Sequence, residues 1–225
     1  MFIGGIGLRE GIRRLIGLIL IIIGITIIIS IIYKKIETEK KQEELRNILE
    51  EVINEDIDEP ENNEDSFTVG EGYKPIGLLE IPSINLSQGI VEGVTDDILL
   101  YYLGHFENSA MPGERGNFAV AGHRISDYSE AFVNLYKTKV GDKIIVKAKG
   151  KKFIYEVTDN FVVQPDRVEV LDDTKDATIT LITCTVGAKE RVIVKGKLIE
   201  TKELNGGGEQ WSFISININF QLNPL

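Results

Sequence analysis

The sequence predicts a mainly β domain carried behind an apolar N-terminal helix. From Leu15 to Tyr33 run 19 residues without a charge, about the length that spans a hydrocarbon core as a helix. Beyond Tyr73 the pattern changes to short runs of apolar and β-branched residues: Ile76 to Ile81, Asn117 to Ala121, Lys143 to Ala148, Phe153 to Val163, Thr178 to Cys184 and Arg191 to Ile199. Turn signals such as Gly141-Asp142 and Lys149-Gly150 bound several of these runs. Strand-rich domains with this spacing close as sandwiches or barrels.

Each element follows from its local pattern. Residues 1–14 form a short N-terminal segment and residues 15–33 a transmembrane helix. The rival reading is a cleaved signal peptide, but the apolar run is long for one and no small-x-small cleavage site follows it. Residues 34–72 are an acidic stalk and linker. Lys34 to about Ile53 carries sparse apolar positions (Ile36, Leu45, Ile48, Leu49, Val52) among Lys, Glu and Gln and reads as helix. Pro60 to Gly72 is rich in Glu, Asn, Asp and Gly and reads as flexible. The folded domain spans 73–200. Two helices interrupt its strands, one near Asp96 to Leu103 with Thr95 as N-cap and one near Ser129 to Tyr136. Residues 201–225 form a tail hinged at Gly206-Gly207-Gly208, with an alternating S-F-I-S-I-N-I-N-F stretch of no assigned role.

Composition removes several functions. The net charge of -10 argues against a nucleic-acid partner, since phosphate binding needs clustered Lys and Arg. Much of that charge is the solvated spacer between Glu37 and Glu71. A single Cys, Cys184, excludes an intramolecular disulfide. Taken alone, that thiol reads as a small buried hydrophobe. His123 alone reads as a surface residue at a turn, and Arg191 alone as a charge that blunts a strand edge.

Their joint context changes the reading. The stretch Thr178 to Ile199 is T-I-T-L-I-T-C-T-V-G-A-K-E-R-V-I-V-K-G-K-L-I, and Ala121 to Arg124 is A-G-H-R. T-L-I-T-C, an Arg seven positions after the Cys at the start of a β run, and A-G-H-R occur in one order that resembles the sortase family, over about Tyr73 to Glu200. The residues themselves agree. A thiol at a strand end, followed by a tight Val186-Gly187-Ala188 turn into a strand that opens with Arg191, sets a cation beside a nucleophile on neighbouring strands. A Cys attacks a peptide carbonyl when a base shares its proton, and the intermediate needs a donor for its oxyanion. His123 and Arg191 supply those functions.

The resemblance implies a closed sortase-type β-barrel of about eight strands with short helices. It implies a cysteine transpeptidase with Cys184 as nucleophile, His123 as proton donor and acceptor, and Arg191 as oxyanion or substrate stabiliser. The substrates implied are secreted proteins with an LPxTG-like sorting signal, cleaved after Thr and passed to an amine of a cell-wall peptide or a pilin lysine. Thr183 is expected to position substrate or orient the strand end. His105 matches a position where sortases often carry a His near the active site. Only 14 residues separate Val163 from Thr178, too few for the helical insertion of the haem-linked class. V-V-Q-P at Val162 to Pro165 suggests a class D-like enzyme, with a housekeeping-like one as the other candidate.

That function places the catalytic domain outside the cell on a single-pass anchor, with residues 1–14 in the cytoplasm. Base counting favours the reverse, because Arg9, Arg13 and Arg14 precede the helix while Lys34, Lys35, Lys40, Lys41 and Arg46 follow it. No cofactor is expected. Glu107, Glu114, Asp166 and Asp172-Asp173 are scattered acids near the barrel, and no metal is assigned to them. Two other readings stay open at this stage: a different thiol acyltransferase acting on peptidoglycan, and a non-catalytic membrane-tethered β-module with Cys184 merely buried.

Overall fold

The computed structural model describes residues 6–54, 72–125 and 131–204. The first of these is one continuous helix, α1 (Ile6–Asn54). Its stretch Arg13–Glu37 is long and apolar enough to cross a membrane, and no part of its most apolar window is covered by protein. A helix apolar on every side needs an apolar surrounding.

Eight strands follow: β1 (Pro75–Ile81), β2 (Leu86–Glu92), β3 (Leu103–His105), β4 (Gly116–Ala121), β5 (Lys143–Ala148), β6 (Lys151–Val163), β7 (Ala177–Cys184) and β8 (Arg191–Glu203). They close a barrel in the order β1-β2-β3-β4-β7-β8-β6-β5, with β5 pairing back onto β1. The β2–β3 and β4–β7 pairs are parallel; the other pairs are antiparallel. Closure leaves no free sheet edge, so every strand keeps both ladders of hydrogen bonds.

The barrel is filled by one cluster that includes Leu79, Ile81, Phe118, Val120, Phe132, Tyr155, Ile179, Leu181 and Val194. Tyr155 is fully buried there, and its phenolic oxygen accepts the Gly113 N–H at 2.8 Å. A second cluster lies outside the wall, where Leu45 of α1 is completely buried with Leu78, Val91, Ile98 and Tyr102. Tyr102 donates its hydroxyl to the Lys41 carbonyl at 3.5 Å, and the Lys41 ammonium lies 3.6 Å over the Tyr101 ring. Beyond the expected span, α1 is therefore seated on the barrel at Leu45 rather than standing clear of it.

The six strands expected from the sequence all form, and β8 runs on to Glu203. β2 and β3 were not anticipated. A helix does form at Asp96–Tyr101 as α2, but Thr95 makes no side-chain cap bond. The helix expected near Ser129 to Tyr136 is corrected. Its described part is a set of tight turns ending in a short 3-10 segment, Leu135–Lys137. There Leu135 N–H bonds Phe132 O and Thr138 N–H bonds Leu135 O, the three-residue spacing of the tighter helix. The linker over 60–71 and the tail beyond Leu204 lie outside the described residues.

Candidate active site

Side chains alternate across the barrel wall. On β7, Ile179 and Leu181 enter the core, so Thr180, Ile182 and Cys184 lie on the outer face. On β4, Phe118 and Val120 point inward, leaving Asn117, Ala119 and Ala121 outside. Cys184 ends β7 and lies directly opposite Arg191, the first residue of β8. Residues paired in this way project to the same face. Thiol and guanidinium thus share the outer surface, both partly exposed.

The connection between them is short and internally bonded. Thr185 N–H donates to Glu190 O at 3.0 Å and Ala188 N–H to Thr185 O at 2.9 Å. The Thr185 hydroxyl accepts the Glu190 N–H at 3.1 Å. Gly187 and Ala188 take positive φ of 81° and 56°, which lets the chain reverse within six residues. Arg191 Nη1 donates to the carbonyls of Ala188 and Glu190, each at 3.3 Å. Among the described residues no carboxylate forms an ion pair with Arg191, so its charge is held by backbone and remains unneutralised.

His123 arrives from the other side. The parallel register pairs Ala121 with Ile182, and the next step is secured by Gly122 N–H donating to Ile182 O at 3.1 Å. Thr183 Oγ1 then donates to Gly122 O at 2.7 Å. His123 follows Gly122 as Cys184 follows Thr183, so the two residues leave neighbouring strands at the same end of the barrel, and His123 is partly exposed. A side chain at Gly122 would put its Cβ 2.6 Å from both Leu103 and Phe132. Glycine is what lets these two core side chains pack against the strand end. The His123 carbonyl is tied down by the Phe132 N–H at 3.2 Å.

His105 and Thr183 occupy different settings. His105 is 1% exposed, with Nδ1 at 2.8 Å from Glu92 Oε1 and Nε2 at 2.9 Å from Ser109 Oγ and 3.1 Å from Ala110 O. Both ring nitrogens are engaged within the protein, and the ring packs on Phe118. Thr183 is 3% exposed and turned inward toward Gly122. The structure thus brings Cys184 and Arg191 to one outer surface, with His123 just past the end of the neighbouring strand, Thr183 turned inward between them and His105 within the wall.

A family model for the sortase domain matches residues 79–199, from inside β1 to near the end of β8. The chain belongs to the sortase family. Sortase A of Bacillus anthracis is 34% identical over 149 residues, covering 65% of this chain and 70% of that protein. Sortase D of Bacillus subtilis is 31% identical over 151 residues, covering 62% and 74%. A solved structure of a Clostridium perfringens Sortase D5 transpeptidase superposes with a TM-score of 0.56 at 38% identity, covering 75% of this chain and 99% of that one. The barrel is that of a sortase, and the sortase is a cysteine transpeptidase. Its β6–β7 connection holds only a 3-10 turn, Val168–Leu171, as its length required.

Several residues of this sortase's site went unread in the sequence. Thr185 and Glu190 bracket the β7–β8 turn, and a Thr directly after Cys184 is a signal for a side chain that closes a tight loop. Glu92 and Ser109 lie 13 and 4 residues from His105, and only the strand pairing brings Glu92 to it.

Proposed function

We propose that Cys184 is the nucleophile of a transpeptidation in which a sorting signal of LPxTG type is cleaved after its Thr. The Cys184 Sγ bonds to the Thr carbonyl carbon, and the tetrahedral oxyanion is held by Arg191. Collapse breaks the bond from Thr to the following residue, and His123 delivers a proton to the departing amine. The thioester is then attacked by an acceptor amine, which gives its proton to His123. A new amide forms and the Cys184 thiolate leaves. The acceptor is an amine of a cell-wall peptide or a lysine side chain.

The observation that supports this best is the direct Cys184–Arg191 pairing on an outer face, next to the strand end that carries His123. A guanidinium without a carboxylate partner is free to meet charge that develops on a substrate. Thr183 acts here by holding the His123 turn against the nucleophile strand, and His105 supports the wall beneath.

The apolar helix anchors the enzyme in the cell membrane. We place residues 1–14 inside and the barrel outside, because secreted substrates and cell-wall amines are met there. Protease treatment of intact spheroplasts tests the topology: the barrel should be digested, and a protected barrel overturns it.

Turnover of a panel of quenched sorting-signal pentapeptides, with and without an added amine, tests the chemistry. Amine-dependent ligation that Cys184→Ala lowers to below about 1% of wild type is expected for covalent catalysis. A folded enzyme whose Cys184 is alkylated by iodoacetamide, yet which turns over no peptide in the panel, overturns the proposed substrate.

A further inference from the structure

The connection from β6 to β7 leaves the barrel at Val163, the partner of Arg191. It re-enters at Ala177, the partner of Gly116 at the opposite end of β4. It must therefore run down the outside of the wall that carries the site. Asn117, 1% exposed, fastens it there. Its Nδ2 donates to the carbonyls of Val170 and Asp172, each at 3.2 Å, and its Oδ1 accepts the Thr180 hydroxyl at 2.7 Å. Every hydrogen-bonding direction of the carboxamide but one lone pair is thereby used.

The backbone around Asn117 repeats the attachment. Asn117 N–H and Thr174 N–H both donate to Asp173 Oδ1, at 3.2 and 2.9 Å. Gly116 N–H donates to Asp176 O at 3.2 Å, and Arg115 Nε to Lys175 O at 3.0 Å. Gly116 has a φ of 124°, and a Cβ on it would lie 2.6 Å from Asp173 Oδ1. Only glycine admits the loop this close.

Thr180 lies on the same outer face as Cys184, four residues earlier, or about 13 Å along the strand. The loop covers Asn117 and Thr180 completely, whereas Ile182 and Cys184 remain partly open. The clamped segment thus walls off the covered end of an outer-face strip that runs past Ala121 and Ile182 to Cys184. Behind the wall, Leu171 borders a cleft of about 470 Å³ shared with Gly93, Val94 and Phe106. The wall has room to move away from this strip, and the buried carboxamide is what opposes that movement.

We propose that Asn117 is a positioning residue for the acyl-donor peptide: by fixing Val170 to Asp173 it sets where this wall stands beside the strip leading to Cys184 and hence the affinity for the sorting signal. The inference rests on the sortase reading of Cys184. Asn117→Ala should raise KM for the pentapeptide that wild type turns over about 10-fold or more, the scale for unpairing buried carbonyls, with kcat changed less than about 3-fold. Thr180→Val removes only the hydroxyl that orients the carboxamide and should raise KM about 3-fold, which keeps the test alive if Asn117→Ala fails to fold. Iodoacetamide should alkylate Cys184 at an unchanged rate in both. Amide exchange over 166–176, read without substrate, should accelerate in step with KM. Faster exchange with unchanged KM, unchanged exchange, or a loss confined to kcat would each overturn the proposal. Wild-type enzyme inactive on every peptide instead sinks the substrate assignment, and this affinity role with it.

Discussion

Thr183 Oγ1 donates to the Gly122 carbonyl at 2.7 Å, joining the residue before Cys184 to the residue before His123. The two strands are neighbours in the barrel but lie about sixty residues apart in the chain, and this bond ties them together just before Cys184 and His123.

Thr183→Val keeps the β-branched shape and removes the donor, leaving the Gly122 carbonyl without its partner in a buried place. kcat/KM should fall about 10- to 100-fold, the scale of a small misplacement of a reacting group, with the loss mostly in kcat. Thr183→Ser should recover most of it. Equal losses in the two variants would show that the methyl group, not the hydroxyl, matters.

Arg191→Lys retains the charge but exchanges a planar fork of donors for a point charge. If the guanidinium holds the oxyanion, kcat/KM should drop by about 10² to 10³, while alkylation of Cys184 by iodoacetamide, which passes through no oxyanion, falls much less. Parallel losses in the two reactions at several pH values would assign Arg191 to favouring the thiolate instead.

Leu45 tests the seating of α1. Two soluble forms, one starting at Lys34 and one at Glu64, should cleave a sorting peptide with similar kcat/KM, because α1 contributes no group to the site. The shorter form should be less stable by about 2–3 kcal/mol, the burial of one leucine, and should melt several degrees lower. Equal melting temperatures would mean that the contact with Leu78, Ile98 and Tyr102 adds nothing in solution.

Tyr155 makes the barrel sensitive to alkali. Burial pushes its hydroxyl up from an ordinary 10.0 to about 12, with the Gly113 N–H pulling slightly the other way. The folded state thus holds this proton more tightly than the unfolded chain does. That contribution is complete below pH 10 and is lost as pH rises towards 12, a change of about 3 kcal/mol. Denaturant titrations should show the advantage of wild type over Tyr155→Phe shrinking across this interval. A constant difference between the two proteins would contradict it.

The strands legible in the sequence were those with enough β-branched or apolar residues to announce a period, such as Lys143–Ala148 and Thr178–Cys184. β3 is three residues long, and β2 carries Ser87, Gln88 and Gly89 among its seven. Such segments are strands only because neighbours on both sides supply ladders, a property of the closed barrel and not of the segment. The apolar helix was equally plain, since its length and composition need no partner to explain them.

Cys184 and Arg191 were readable because a short turn makes them adjacent, so their spacing alone implies cross-strand pairing. His123 was readable only through the resemblance, because a parallel β4–β7 pair joins residues far apart in the chain and leaves no periodic trace. The same holds for Asn117, whose partners Val170, Asp172 and Thr180 lie more than fifty positions away, and for Glu92 against His105. The sequence determined which chemical groups this sortase carries and where its apolar helix and its more apolar strands lie. Which groups meet, which face of the wall they share and what ties the β6–β7 segment to β4 were decided by barrel closure, because nonlocal pairing is set by the packing of the whole chain and by no single stretch of it.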